Sequence, residues 1–214
     1  MKVKSMDTKE KNKEEAILEA AEQEFLDKGF EAAKTTDIAS MAGVTHAMLH
    51  YYYRTKENLF NKIFDEKINL LKNIIFNLAD DPGMPFLEKV KMAMEAHFDF
   101  LRDNPGLPRF IVNELIFKKK RLKLMEKGIR NLTNTVIEKV REAIDREVEK
   151  GAIEPIEPVT LMIDVASLNV FVFVAMPFLQ MFAVERFGSE DAFFEARKRE
   201  NVEIIMKRLK KVEN

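Results

Sequence analysis

The chain has no cysteine. Disulfides, a thiol nucleophile and a Cys-ligated zinc site are therefore excluded. Tryptophan is also absent, and glycine and proline number only seven each. So few breakers leave long uninterrupted stretches, and each breaker matters by its position. Positive charge is not in excess: 35 Lys and Arg face 36 Asp and Glu, for a net charge of −1. A polymer binder coated in positive charge is excluded, but a local basic footprint is not. The N-terminal MKVKSMDTKEKNK has no apolar stretch behind its charges, unlike a secretory signal. The sequence holds no phosphate loop, no Gly-x-Ser-x-Gly elbow and no metal cluster, so neither an enzyme nor a cofactor is expected.

What is present suits a folded helical protein. A chain of 214 residues buries about 70% of its unfolded surface. Apolar residues make up 46% and charged residues 33%, which argues against disorder. Phe (17) and Met (12) are abundant, and such an interior adapts to varied apolar surfaces. Gly29, Gly43, Pro82-Gly83 with Pro85, Pro105-Gly106 with Pro108, Gly151 with Pro155 and Pro158, and Gly188 punctuate the chain. Between them the apolar period is helical: Ile17, Ala21 and Phe25 step by four, and Ile129, Leu132, Val136, Val140, Ile144 and Val148 by three or four. Val202, Ile205, Leu209 and Val212 repeat the pattern. The expected fold is all-α, with about nine helices. Gly128 either loosens a long helix or breaks it, and Pro177 is expected to kink its helix.

Residues 35–60 read TTDIASMAGVTHAMLHYYYRTKENLF. Thr36 suits an N-cap, and Asp37 suits the positive end of a helix. Ile38, Ala39 and Met41 give that short helix an apolar side. Gly43 permits a tight turn, and Thr45 can cap a second helix of about seven residues. Leu49 and Tyr53 lie four apart and face inward with Val44, which leaves Ala47, Met48, His50 and Tyr51 on the other side. Thr55 can cap a third helix, with Lys56 and Glu57 at its start. So short a helix is not stable alone and must be held by neighbours. Two short helices around a Gly turn form a helix-turn-helix, whose second helix fits the major groove. Helix N-termini at Thr36 and Thr55 aim N–H groups outward, and Lys56 and Tyr51 can reach phosphates. The alternative is a structural helical hairpin whose face merely packs on the rest; a solvated face would carry more Lys and Glu than Ala, Met, His and Tyr.

Over residues 10–60 the sequence resembles the N-terminal DNA-binding domain of the TetR family of bacterial transcriptional regulators. The likeness rests on EEAILEAAEQEFLDKGFEAAKTTDIA, then AGV, then LHYYYRTKENLF; the rest of the chain resembles the family in helical layout. The resemblance implies a helix-turn-helix domain over 1–60, with an arm at 1–13, and an effector-binding and dimerisation domain over 61–214. It implies double-stranded DNA, a palindromic operator, a small effector and a second copy of the chain as partners. It also implies that Thr36, Lys56 and His50 touch phosphates while Thr45, His46, Ala47 and Met48 face base edges. Ala47 stands where Gly or another small residue is common, His50 where Tyr is usual, and Tyr53 where Phe is usual. A protonated His50 would donate more strongly, so DNA affinity is expected to depend modestly on pH.

Residues 1–80 carry twelve Lys and Arg against fourteen Asp and Glu, so any basic footprint is local. It would use Lys2, Lys4, Lys9, Lys11 and Lys13 of the arm, then Arg54, Lys56 and Lys62. The arm follows phosphates or the minor groove, or is a disordered solubilising tail; the tail is preferred. His46 and His50 have a metal-ligand spacing, but DNA contact is the better expectation. The basic run Lys118, Lys119, Lys120, Arg121 and Lys123 reads as a solvated turn. Lys207, Arg208, Lys210 and Lys211 complement the dipole of the last helix.

Val165 to Val184 holds twenty residues without a charge and is long enough to span a bilayer. It contains Ser167, Asn169, Pro177 and Gln180, and is expected instead to be a helix of a cytoplasmic protein, buried on both sides in a core or between subunits. With the helix after Gly188 it could form a four-helix bundle across a dimer, which would set two recognition helices about 34 Å apart. His97, Leu101, Phe110, Asn113 and Phe117 surround the Pro105–Pro108 joint. With Asn169 and Phe173 they are the candidates for a largely apolar effector pocket. The expected function is a ligand-responsive, sequence-specific regulator, a repressor released by a small hydrophobic effector. The competing readings are a helical small-molecule-binding protein or enzyme without DNA binding, and a protein-interaction module using the same short helix.

Overall fold

The computed structural model describes residues 2–79, 83–113 and 119–210. Among the described residues there are nine α-helices and no strand beyond one isolated bridge between Ile153 and Lys210. The helices are α1 (Lys2–Ala32), α2 (Thr35–Met41), α3 (His46–Tyr53), α4 (Lys56–Ala79), α5 (Phe86–Asp103), α6 (Gly106–Ile111), α7 (Lys119–Glu149), α8 (Pro158–Phe187) and α9 (Glu190–Leu209).

The chain forms two compact units. One holds Met1–Leu70 with Phe110–Lys118, the other Leu71–Arg109 with Lys119–Asn214. The seam between these units falls inside α4, with Phe60 and Phe64 buried on its first-unit side.

In the first unit, α1 packs on α2 and α2 on α3. Ile17, Ala21 and Phe25 supply the buried stripe of α1 that their spacing predicts. Gly29 breaks α1 with φ 72° and ψ 167°, so the last turn departs at a new angle. That turn brings Phe30 against Phe25 (5.7 Å between ring centroids) and edge-on to Phe60 (5.2 Å). The backbone of residues 2–13 continues α1, which corrects the expectation of a disordered tail.

In the second unit α8 packs against α5, α7 and α9, and α5 packs on α9. Met94, Ile144, Ile153, Leu161, Val202, Ile205 and Leu209 form one buried cluster. The Phe98, Phe173 and Phe194 rings meet beside one another, with Phe98 and Phe173 centroids 5.1 Å apart. Glu157 caps α8 by accepting the Thr160 N–H (2.9 Å), and Ser189 caps α9 by accepting the Ala192 N–H (3.1 Å). Gly188 ends α8 in the left-handed conformation at φ 81°.

Three other expectations concern α7 and α8. α7 runs through Gly128, so that residue does not break the helix, and Pro177 lies inside α8. The basic run is not a turn: residues 119–123 open α7, while Lys118 lies outside the described residues, as does Lys211. Finally, one side of α8 packs on α5, α7 and α9, and burial of its other side would take a second subunit. Phe171 (65% exposed), Phe178, Met181 (68%), Phe182 and Val184 lie open. It is the one helix among the described residues long and apolar enough to cross a membrane.

Candidate nucleic-acid interface

The helix-turn-helix is built from local capping and a few buried anchors. Thr45 caps α3, its hydroxyl accepting the Met48 N–H at 3.2 Å. Thr55 caps α4 by accepting the Asn58 N–H at 3.1 Å. Thr36 is not a cap: α2 begins at Thr35, the cap position falls to Lys34, and the Thr36 hydroxyl donates to Asp37 at 3.3 Å. The turn closes through Gly43 at φ 65°, with the Val44 N–H donating to the Ala39 carbonyl at 3.0 Å.

Leu49 (2% exposed) and Tyr53 fix α3 to the unit's core. The Tyr53 hydroxyl donates to Glu14 on α1 at 3.3 Å. Burial and the Glu14 carboxylate keep this phenol protonated far above its ordinary range. With those two side chains inward, His46, Ala47, His50 and Tyr51 are exposed and Met48 is half-buried. Tyr51 reaches 80% exposure, and its ring meets that of Tyr52 edge-on at 5.6 Å. Such an aromatic on a solvent-facing helix is not there for the core.

His46 is also tied sideways, with its Nε2 3.0 Å from the Thr35 hydroxyl. No group of three or more His, Asp and Glu that could hold a metal occurs among the described residues. His46, His50, Thr35, Thr36, Lys34, Arg54, Thr55 and Lys56 line one concavity of about 440 Å³, where the N-termini of α2 and α4 meet α3. Two helix N-termini beside exposed cations suit an anion. Lys34 and Thr35 were not singled out from the sequence, because their place in this concavity depends on how α2 meets α3. Arg54 is an exposed member with φ 58°, a conformation unfavourable for a residue with a Cβ.

Lys56 is engaged elsewhere. Its ammonium donates to the carbonyls of Phe30 (2.7 Å), Ala33 (2.9 Å) and Glu31 (3.2 Å), and lies 4.5 Å over the Phe30 ring. All three N–H donors serve carbonyls left open at the end of α1. Nearby, Lys28 joins Glu24 (2.8 Å) to Asp37 (3.1 Å) and holds the Asp37 carboxyl below its usual range. Lys62 faces Glu66 at 3.1 Å, so this cation of the footprint is partly neutralised.

The pocket candidates separate. His97, Leu101, Asn169 and Phe173 belong to the second unit. Phe110 packs on Phe60 in the first unit (5.3 Å), and Asn113 is exposed. Phe117 lies outside the described residues.

Comparison with known proteins agrees with this geometry. The family model "Bacterial regulatory proteins, tetR family" matches residues 17–63, and "Tetracyclin repressor-like, C-terminal domain" matches residues 87–205. The HTH-type transcriptional regulator YhgD of Bacillus subtilis is 25% identical over 157 residues, 69% of this chain and 75% of that protein. The fatty acid metabolism regulator protein of the same organism is 26% identical over 113 residues, 52% of this chain and 56% of that one. The structure of the fatty acid degradation regulator FadR from Bacillus halodurans superposes with a TM-score of 0.69 at 20% identity, covering 91% of this chain and 94% of that one. The chain belongs to the tetR family of bacterial regulatory proteins and is a ligand-responsive, DNA-binding transcriptional regulator that acts as a dimer, not an enzyme.

Proposed function

We propose that the protein is a cytoplasmic repressor that binds a palindromic operator as a homodimer and leaves it when a small hydrophobic effector binds. The observation that carries this reading is α3 itself. Its inner side chains are buried, while Ala47, His50 and Tyr51 stand free on an outer face that lacks the Lys and Glu of a merely solvated helix. Ala47 and Met48 suit thymine methyls, and Thr45 or His46 suits a base edge. Thr36, His50 and Tyr51, with Lys34 and Arg54 added, suit phosphates. Lys56 holds this surface in shape, with its ammonium no longer counted among the phosphate contacts.

The sign of regulation is supported by the repressor-like C-terminal match, and the apolar effector by the relative named as a fatty acid metabolism regulator. The functional division runs as residues 1–60 for DNA and 61–214 for effector and dimer contacts. An effector releases DNA only as far as it binds the DNA-incompetent conformation more tightly.

The experiment is selection of bound duplexes from a random pool, followed by a reporter under the selected site. An inverted repeat with half-sites about one turn apart is expected, and deletion of the gene should raise reporter output. Selection of no sequence, or a fall in output on deletion, would refute the operator and the repressor role respectively.

A further inference from the structure

We propose that the Nε2–H of His97 is the polar anchor of the effector site, and that the effector it takes is an apolar molecule bearing a carbonyl or carboxylate oxygen. The inference rests on the reading that the second unit binds a small hydrophobic effector.

Arg197 can only donate, so its contact with Asn201 Oδ1 (2.6 Å) sets that atom as acceptor. The Asn201 amide nitrogen then faces the Leu168 carbonyl (2.9 Å) and the Asn169 Oδ1 (3.0 Å). The Asn169 amide nitrogen in turn faces the Met94 carbonyl (3.0 Å) and His97 Nδ1 (3.4 Å). A backbone carbonyl can only accept, so neither amide can be flipped without opposing two acceptors. His97 Nδ1 must therefore accept, and the neutral ring carries its proton on Nε2.

Every hydrogen bond in this chain points the same way, from Arg197 through two asparagines to His97. Bonds aligned in this sense polarise one another and strengthen the last donor. Asn169 and Asn201 are fully buried, on α8 and α9, and hold the half-buried ring of α5 in place. Yet Nε2–H has no hydrogen-bond partner among the described residues. Burial pushes the ring down to about 4. An unmatched donor on a ring withdrawn from water carries a desolvation cost that an acceptor oxygen would remove. Phe173 lies one turn from Asn169 on the same face of α8 with its ring against Phe98 of α5, so buried hydrocarbon flanks these polar groups.

The test uses the full-length protein and three probes of one chain length: octanoate, methyl octanoate and octane. Calorimetric titration is paired with 15N NMR of the histidine rings. The expected results are an Nε2–H tautomer for His97 and a downfield shift of that proton when an oxygen-bearing probe binds. His97→Phe should weaken the oxygen-bearing probes about five- to tenfold and leave octane unchanged, while His97→Gln, which restores a donor, should recover part of the loss. Preference for octanoate or for the ester decides between carboxylate and carbonyl. An Nδ1–H tautomer, or equal weakening of all three probes by His97→Phe, would overturn the inference and leave the effector reading intact. Failure of every probe to bind the wild-type protein would overturn both.

Discussion

Lys56 shows how a residue's role turns on where its donors end. Three carbonyls at the end of α1 receive its ammonium, and its stem crosses the Phe30 ring. Lys56→Met keeps the stem and removes the donors. It should cost about 1–3 kcal/mol of stability, read as a lower urea midpoint with an unchanged slope. Arg54 makes the opposite trade. At φ 58°, its replacement by Gly should relieve strain and raise stability by about 1 kcal/mol. The same change removes a cation from the concavity, so DNA affinity should fall and the salt slope shrink by about one unit. His97 supplies the pH dependence. Its folded ring stays neutral down to about 4, whereas the ordinary value is 6.5. The unfolded chain thus binds the proton first as pH falls. Stability is full above the unfolded value and declines between it and the folded one, by at most about 1.4 kcal/mol per pH unit. Between pH 7 and pH 5 the urea midpoint should fall more steeply for the wild type than for His97→Phe.

At the scale of elements, α3 is eight residues long and depends on its ends and its two buried anchors. The turn before it relies on Gly43, where a Cβ would meet nothing within 4 Å. Gly43→Ala therefore carries a conformational penalty alone, about 1–2 kcal/mol, and Gly43→Asn should lose less. A thermal melt of the three proteins checks the order. Equal losses for Ala and Asn would mean that the turn's environment, and not its backbone, sets the cost. The Thr45 and Thr55 caps were legible because a hydroxyl three residues before an N–H is a local relation. Thr36 lies two residues past the actual cap position, Lys34, because Thr35 and Thr36 both look like good caps in sequence. α2 instead starts at Thr35, whose hydroxyl meets His46.

For the whole molecule the salient surface is the open side of α8. Phe178 and Phe182 meet edge-on at 5.3 Å and are largely exposed among the described residues. In a family that acts as dimers, this side is the expected seat of the second copy, and the apolar run is then buried on both sides in the assembly. Met181→Lys should shift sedimentation from dimer toward monomer and weaken operator binding more than tenfold, because one recognition helix alone loses the effective concentration of its twin. A dimer that survives Met181→Lys unchanged would place the interface elsewhere.

Periodicity, breakers and caps by themselves determined the all-α fold, the helix-turn-helix, the inward Leu49 and Tyr53 and the outward face of α3, since each follows from spacings of three or four residues. Only the tertiary structure decided that Lys56 closes α1 across 23 to 26 residues of sequence, that Phe110 packs on Phe60, and that His97, Asn169 and Asn201 form one directed chain. Those relations join side chains that are far apart along the backbone. Packing brings them together, and a pattern that repeats every few residues carries no trace of it.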